Sequence, residues 1–278
     1  MDINGEMTQN LFLIFGSMSG LDFAKFVIVG LIAGIAAGSF GIGGGIIIVP
    51  TMMFLGLPIT HAIAMSIMQM IFSSIFGSYI NYKKRNFDLK DGIFIGIGGL
   101  IGASFSGILL SVLSDVVINA LFLSLNLVAF YRFAFKIKPQ VSATPPNLTT
   151  LKKNVILICA GMVTGVFAIS LGIGGGLLIS PILAYYLGYD SKKVVPLSLF
   201  FVIFSSVSGT ASLYRAGVLS AEAMQGGLSI GLASLVGVAV GIYLVGKVSG
   251  AFHRNALICI YIYAICLMSY KLGEKIFV

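Results

Sequence analysis

Charged side chains are scarce in this sequence. They make up 9% of 278 residues, against 58% hydrophobic, where a soluble domain carries about 25%. That scarcity excludes a soluble fold and leaves a polytopic membrane protein, long enough for about seven to nine spans of some 20 residues. No Lys or Arg is placed deep inside a span. The net charge of +8 therefore belongs to loops, as the positive-inside rule expects, and does not point to nucleic acid. With only His61 and His253, no multi-histidine metal centre can be built, and a serine hydrolase would lack a base near any intramembrane serine. Cys159, Cys259 and Cys266 lie in apolar segments without CxxC spacing, so neither a disulfide framework nor a metal site is indicated. Asp115, Asp190 and Glu222 stand at span ends, which leaves no central carboxylate for a proton relay. No enzyme activity and no cofactor is expected. The start, Met-Asp-Ile-Asn-Gly-Glu, is acidic and unlike a cleavable signal peptide.

What the chain does contain is one glycine-rich stretch, twice. Residues 39–50 read Ser-Phe-Gly-Ile-Gly-Gly-Gly-Ile-Ile-Ile-Val-Pro, and residues 170–181 read Ser-Leu-Gly-Ile-Gly-Gly-Gly-Leu-Leu-Ile-Ser-Pro. Each lies inside an apolar run, where four glycines in five residues should interrupt a helix. The register extends further: Ser66 matches Ser198, Ser73-Ser74 matches Ser205-Ser206, Gly77 matches Gly209 and Tyr82 matches Tyr214. Such agreement indicates an internal duplication. The expected architecture is an all-α polytopic membrane protein of two homologous repeats, 1–137 and 154–278. Each has a glycine-broken, re-entrant or discontinuous helix pair plus about three transmembrane helices. A linker over 138–153, rich in proline and threonine, joins them. A short apolar piece, Leu11–Phe15, is expected at the interface, and 92–113 as one span. Equivalent loops carry lopsided numbers of Lys and Arg, and the richer members share one side only if the repeats are inverted, with the linker cytoplasmic. Parallel repeats are the alternative.

An interruption in mid-membrane leaves backbone groups unpaired unless protein, water or a ligand meets them. If a half-helix starts after each cluster, its first N–H groups and the positive end of its dipole point into the interruption. Two such ends near the midplane make an anion site without a buried cation. The candidate substrate-binding residues are Ser39, Gly41, Gly43, Gly44, Gly45, Ser66, Gln69 and Ser73 in the first half. In the second they are Ser170, Gly172, Gly174, Gly175, Gly176, Ser198 and Ser205. The competing reading gives the glycines to close helix packing and the serines to bonds within their own helices. Asn119 and Asn126, seven apart, fit inter-helix hydrogen bonding. The Gly-xxx-Gly pairs at 92/96, 98/102, 227/231 and 237/241 fit helix contact. Neither cluster is a dinucleotide or phosphate-binding loop, because Ile46 and Leu177 occupy the final glycine position and no Lys-Ser/Thr follows.

With both Gly-x-Gly-Gly-Gly-(x)4-Pro stretches, Gly41–Pro50 and Gly172–Pro181, the patches Ala62–Ser66 and Pro196–Ser198, and the repeat from 23 to 271, the chain resembles the sulfite exporter TauE/SafE family. The resemblance implies a multi-pass permease of the bacterial cytoplasmic (inner) membrane for sulfite, sulfoacetate or related organosulfonates. Met65 and Leu197 stand where that family often has Thr before the serine. The partners expected are a small anionic substrate and the lipid bilayer, and the glycine faces would permit a homodimer. The function expected is a secondary transporter exporting a small anion, with an anion channel or an uptake permease as the alternative.

Overall fold

The computed structural model describes residues 19–83, 89–135, 149–187, 189, 191–245 and 247–277. These contain helices and no strand: α1 (Gly20–Phe40), α2 (Gly45–Phe54), α3 (Ile59–Lys83), α4 (Leu89–Ala103), α5 (Ser106–Val112), α6 (Asp115–Ala134), α7 (Thr150–Ser170), α8 (Gly176–Leu187), α9 (Ser191–Arg215), α10 (Ala221–Val245) and α11 (Gly250–Phe277). Eight stretches are long and apolar enough to cross a membrane: α1, α3, α4 with α5, α6, α7, α9, α10 and α11. The protein is multi-pass.

Small residues set how the helices pack. A Cβ on Gly30, Gly34 or Gly38 of α1 would strike the carbonyl of Ile230, Ser234 or Val238 of α10 in turn. Likewise Gly161 and Gly165 of α7 lie on the backbone of Ile95 and Gly99 of α4. Such contact is possible only where no side chain intervenes. The same glycine contacts give the running directions. Along α3, Met65 meets Gly226 and Phe72 meets Gly231 of α10; along α9, Phe200 meets Gly92 and Phe204 meets Gly96 of α4. Between α3 and α9 the order reverses, Leu199 lying near Gly77 and Ile67 near Gly209. Thus α1, α3 and α10 point one way and α4, α7 and α9 the other. Helices α6 and α11 are antiparallel: Arg254 donates to the Phe133 and Ala134 carbonyls at 3.1 Å each, and Lys275 pairs with Asp115 at 2.6 Å.

Two local expectations change. The span expected over 92–113 holds as one membrane-crossing stretch, Lys90–Val112, but it is built of two helices, α4 and α5, divided at Ser104–Phe105. Hydroxyls take over the freed backbone groups there: Ser212 of α9 accepts from the Gly107 N–H at 2.9 Å and donates to the Ser104 carbonyl at 2.6 Å. Helix α7 begins at Thr150, so Lys152 and Lys153, expected in the linker, are in its first turn. The linker's residues 138–148 and Leu11–Phe15 lie outside the described residues.

Candidate substrate site at the two glycine clusters

Each glycine cluster lies where one helix ends and a shorter one begins. Helix α1 stops at Phe40; Gly41 takes the left-handed conformation (φ 69°) and its N–H bonds back to the Ala37 carbonyl at 2.9 Å. Helix α7 stops at Ser170 with a Schellman pair: Gly172 N–H to the Ile169 carbonyl at 2.9 Å and Ile173 N–H to the Ala168 carbonyl at 3.0 Å. Gly172 also has positive φ, 63°. A side chain at either position would be strained, which is why glycine closes both helices. The half-helices then start at Gly45 and Gly176. Their first N–H groups have no acceptor within their own helix.

The two endings touch. Ser66 of α3 donates to the Gly172 carbonyl at 2.7 Å, and Ser198 of α9 donates to the Gly41 carbonyl at 2.9 Å. Each helix-closing glycine therefore has its carbonyl held by a serine from the opposite half of the chain. The first glycine of each half-helix lies over the same carbonyl: a Cβ on Gly45 would strike Gly172 O, and one on Gly176 would strike Gly41 O. Between them a Cβ on Gly43 would lie 3.0 Å from Gly174 Cα. The junction is backbone against backbone and buried throughout, and its contacts occur in matched pairs.

Other candidates are placed differently. Ser39 donates to the Gly241 carbonyl at 3.2 Å, tying α1 to α10. Ser73 bonds to Met70 and Ser205 to Phe201 and Val202, all within their own helices. Gly44 has φ 79° and lies against Ala33, whereas Gly175 has no positive φ and lies against the Phe201 ring. Gln69 and Ser170 are fully or almost fully buried, and none of their side-chain polar atoms has a hydrogen-bond partner. Away from the junction, Asn126 donates to the Phe122 carbonyl of its own helix at 2.7 Å, and Asn119 is buried unpaired. No cluster of His, Cys, Asp or Glu that could hold a metal occurs among the described residues.

One polar group went unnoticed in the sequence. At the end where α4, α7 and α9 begin, buried Asp91 accepts from Lys153 Nζ at 2.7 Å and from the Tyr189 hydroxyl. Lys153 also lies 5.6 Å from the Tyr189 ring centre. At the opposite end, where α3 and α10 begin, His61 Nδ1 is 3.9 Å from Glu222 Oε2. Three residues spaced over 98 positions carry no local signal.

A family model described as sulfite exporter TauE/SafE matches residues 26–268, taking in both glycine clusters and every helix that touches them. The chain belongs to the TauE/SafE family. It is 31% identical over 198 residues to a probable membrane transporter protein of Methanocaldococcus jannaschii, covering 68% of this chain and 72% of that one. It is 30% identical over 218 residues to a probable membrane transporter protein of Bacillus subtilis, covering 69% and 78%. No solved structure matches the chain. As a TauE/SafE protein it is a membrane transporter, and the glycine clusters are where its chain leaves helix among apolar helices.

Proposed function

We propose that this TauE/SafE protein is a secondary transporter that exports a small anion, a sulfur-containing one such as sulfite, sulfoacetate or a related organosulfonate, across the bacterial cytoplasmic membrane. The observation that carries the reading is the crossed pair Ser66–Gly172 and Ser198–Gly41. It brings the start of α2 and the start of α8 to one buried place, so two positive helix ends face a common region. Backbone amides at the glycines then replace the anion's water without a buried Lys or Arg.

The two halves, 1–137 and 154–278, are read as inverted repeats. Helices α1 and α7 occupy equivalent positions and run oppositely, as do α3 and α9 and α4 and α10. Since α1 and α3 share a direction, α2 must return between them, which makes α1 and α2 a re-entrant pair. The orientation follows from charge. Lys83, Lys90, Arg132, Lys152, Lys153, Lys193, Lys247 and Arg254 belong to one end; Lys25, Arg215, Lys271 and Lys275 belong to the other. The richer end, with the linker, is assigned to the cytoplasm.

The close backbone approach of Gly43 and Gly174 favours a carrier over an open channel. One negative charge leaving a cell that is negative inside gains about 2.3 kcal/mol per 100 mV, so export needs no coupling ion. The test is purified protein in proteoliposomes loaded with sulfite, thiosulfate, sulfonates or carboxylates under an imposed voltage. Saturable, voltage-dependent efflux of the sulfur oxyanions is expected. Absence of flux for every member of the panel, or single-channel conductance steps, would refute the reading.

A further inference from the structure

The two halves agree at the serines and then part company one helical turn later. Gln69 follows Ser66 by three residues on α3, and Phe201 follows Ser198 by three on α9, so each shares a helix face with its serine. Both are fully buried. The Phe201 ring is packed between two backbones: a Cβ on Gly175 or on Gly99 would strike it. Its side of the junction is filled. At the equivalent position Gln69 has neither its Nε2 nor its Oε1 hydrogen-bonded. A second free donor belongs to the same level. Ile169 and Ile67 both reach Gly209, so the end of α7 lies beside the Ser66–Gln69 turn, and there Ser170, 2% exposed, has its hydroxyl unpaired. The mate of Ser170 is Ser39, which is bonded to Gly241.

An unpaired buried amide is costly, so one beside the substrate junction calls for a partner from outside the chain. We infer that the anion is held off the centre of the junction, toward the α3 side. Gln69 Nε2 and Ser170 Oγ donate to its oxygens, and Phe201 closes the equivalent position in the second half. This rests on the transporter reading above. The asymmetry has a physical consequence: one substrate per protein, approached from the α3 flank of the junction rather than through the tight Gly43–Gly174 crossing.

The test compares Gln69→Leu, Phe201→Leu and the exchange Gln69→Phe with Phe201→Gln. Each is measured for initial sulfite and methanesulfonate efflux from proteoliposomes and for thermal stability in detergent. Gln69→Leu is expected to lower efflux roughly ten- to a hundredfold, the worth of a hydrogen bond to a charged acceptor. Its melting temperature should hold or rise, because the unpaired amide is gone. Phe201→Leu should keep efflux within about threefold on this assignment, and the exchange should transport better than Gln69→Leu. Normal efflux in Gln69→Leu, or equal losses in Gln69→Leu and Phe201→Leu, would overturn the assignment while leaving the transporter reading intact. Should Gln69→Leu fail to fold, Gln69→Asn decides. A raised KM with kcat kept supports the amide as a ligand, and an unchanged KM overturns it. Wild-type protein that moves no anion in the panel would remove the transporter reading and this proposal together.

Discussion

Replacing Gly45 by alanine tests whether the junction is held as tightly as its geometry implies. The new Cβ would lie 2.5 Å from Ser66 Oγ and 2.8 Å from the Gly172 carbonyl carbon, and closer still to the carbonyl oxygen. Non-bonded carbon needs about 3.5 Å, so the two chain endings must part by at least about 1 Å. That movement stretches the 2.7 Å Ser66–Gly172 bond past about 3.7 Å, beyond hydrogen-bond range. Overpacking costs about 1–3 kcal/mol, and leaving the buried carbonyl unpaired about 1–3 kcal/mol more. Gly45 has no positive φ, so the backbone itself adds no strain, and alanine's better helix propensity returns at most about 1 kcal/mol. The net loss is about 1–5 kcal/mol. Equilibrium unfolding in mixed detergent micelles measures it, beside efflux from proteoliposomes. Gly20→Ala and Gly273→Ala are the controls, since nothing lies within 4 Å of a Cβ at either. If Gly45→Ala matches those controls in both stability and flux, the close crossing is not a feature of the working protein.

Other outcomes follow from the same geometry. Ser66→Ala and Ser198→Ala should each cost about 1–2 kcal/mol by leaving the Gly172 or Gly41 carbonyl unpaired, and the double variant should exceed the sum if the two bonds hold one junction; unfolding titrations of all three decide it. Lys153→Met should destabilise by about 2 kcal/mol, because Asp91 is buried and loses a charged donor, whereas Glu222→Gln at the opposite end should be nearly neutral given the 3.9 Å separation from His61. Single cysteines introduced at Lys83 and at Arg215 should react with an impermeant maleimide from opposite sides of the membrane, Lys83 from the cytoplasm; labelling from one side would refute the opposed directions of α3 and α9. Valine at Gly44 or Gly175 should abolish efflux while the protein still inserts. At Gly44 the positive φ and Ala33 oppose it, and at Gly175 the Phe201 ring does.

The membrane class, the helices and the special standing of 39–50 and 170–181 were all legible in the sequence, because each has a local physical cause. Too few charges rule out a water-facing surface, and four glycines in five residues end a helix whatever surrounds them. Ser66 and Ser198 were legible as a matched pair, though not their task. That each holds the carbonyl of the opposite half's closing glycine depends on contacts between residues 106 and 157 positions apart. Local propensity carries no information over such distances. The break at Ser104–Phe105 escaped notice for the same reason: it depends on Ser212 from another helix. So did the Asp91–Lys153–Tyr189 cluster. The contrast between Gln69 and Phe201 was visible as letters, but only packing decides that the phenylalanine fills its side of the junction and leaves the glutamine unpaired. Sequence determined where the backbone would come free of its helices. Tertiary structure decided which groups meet it there, because in a low-dielectric interior every freed carbonyl and amide must find its partner across the fold.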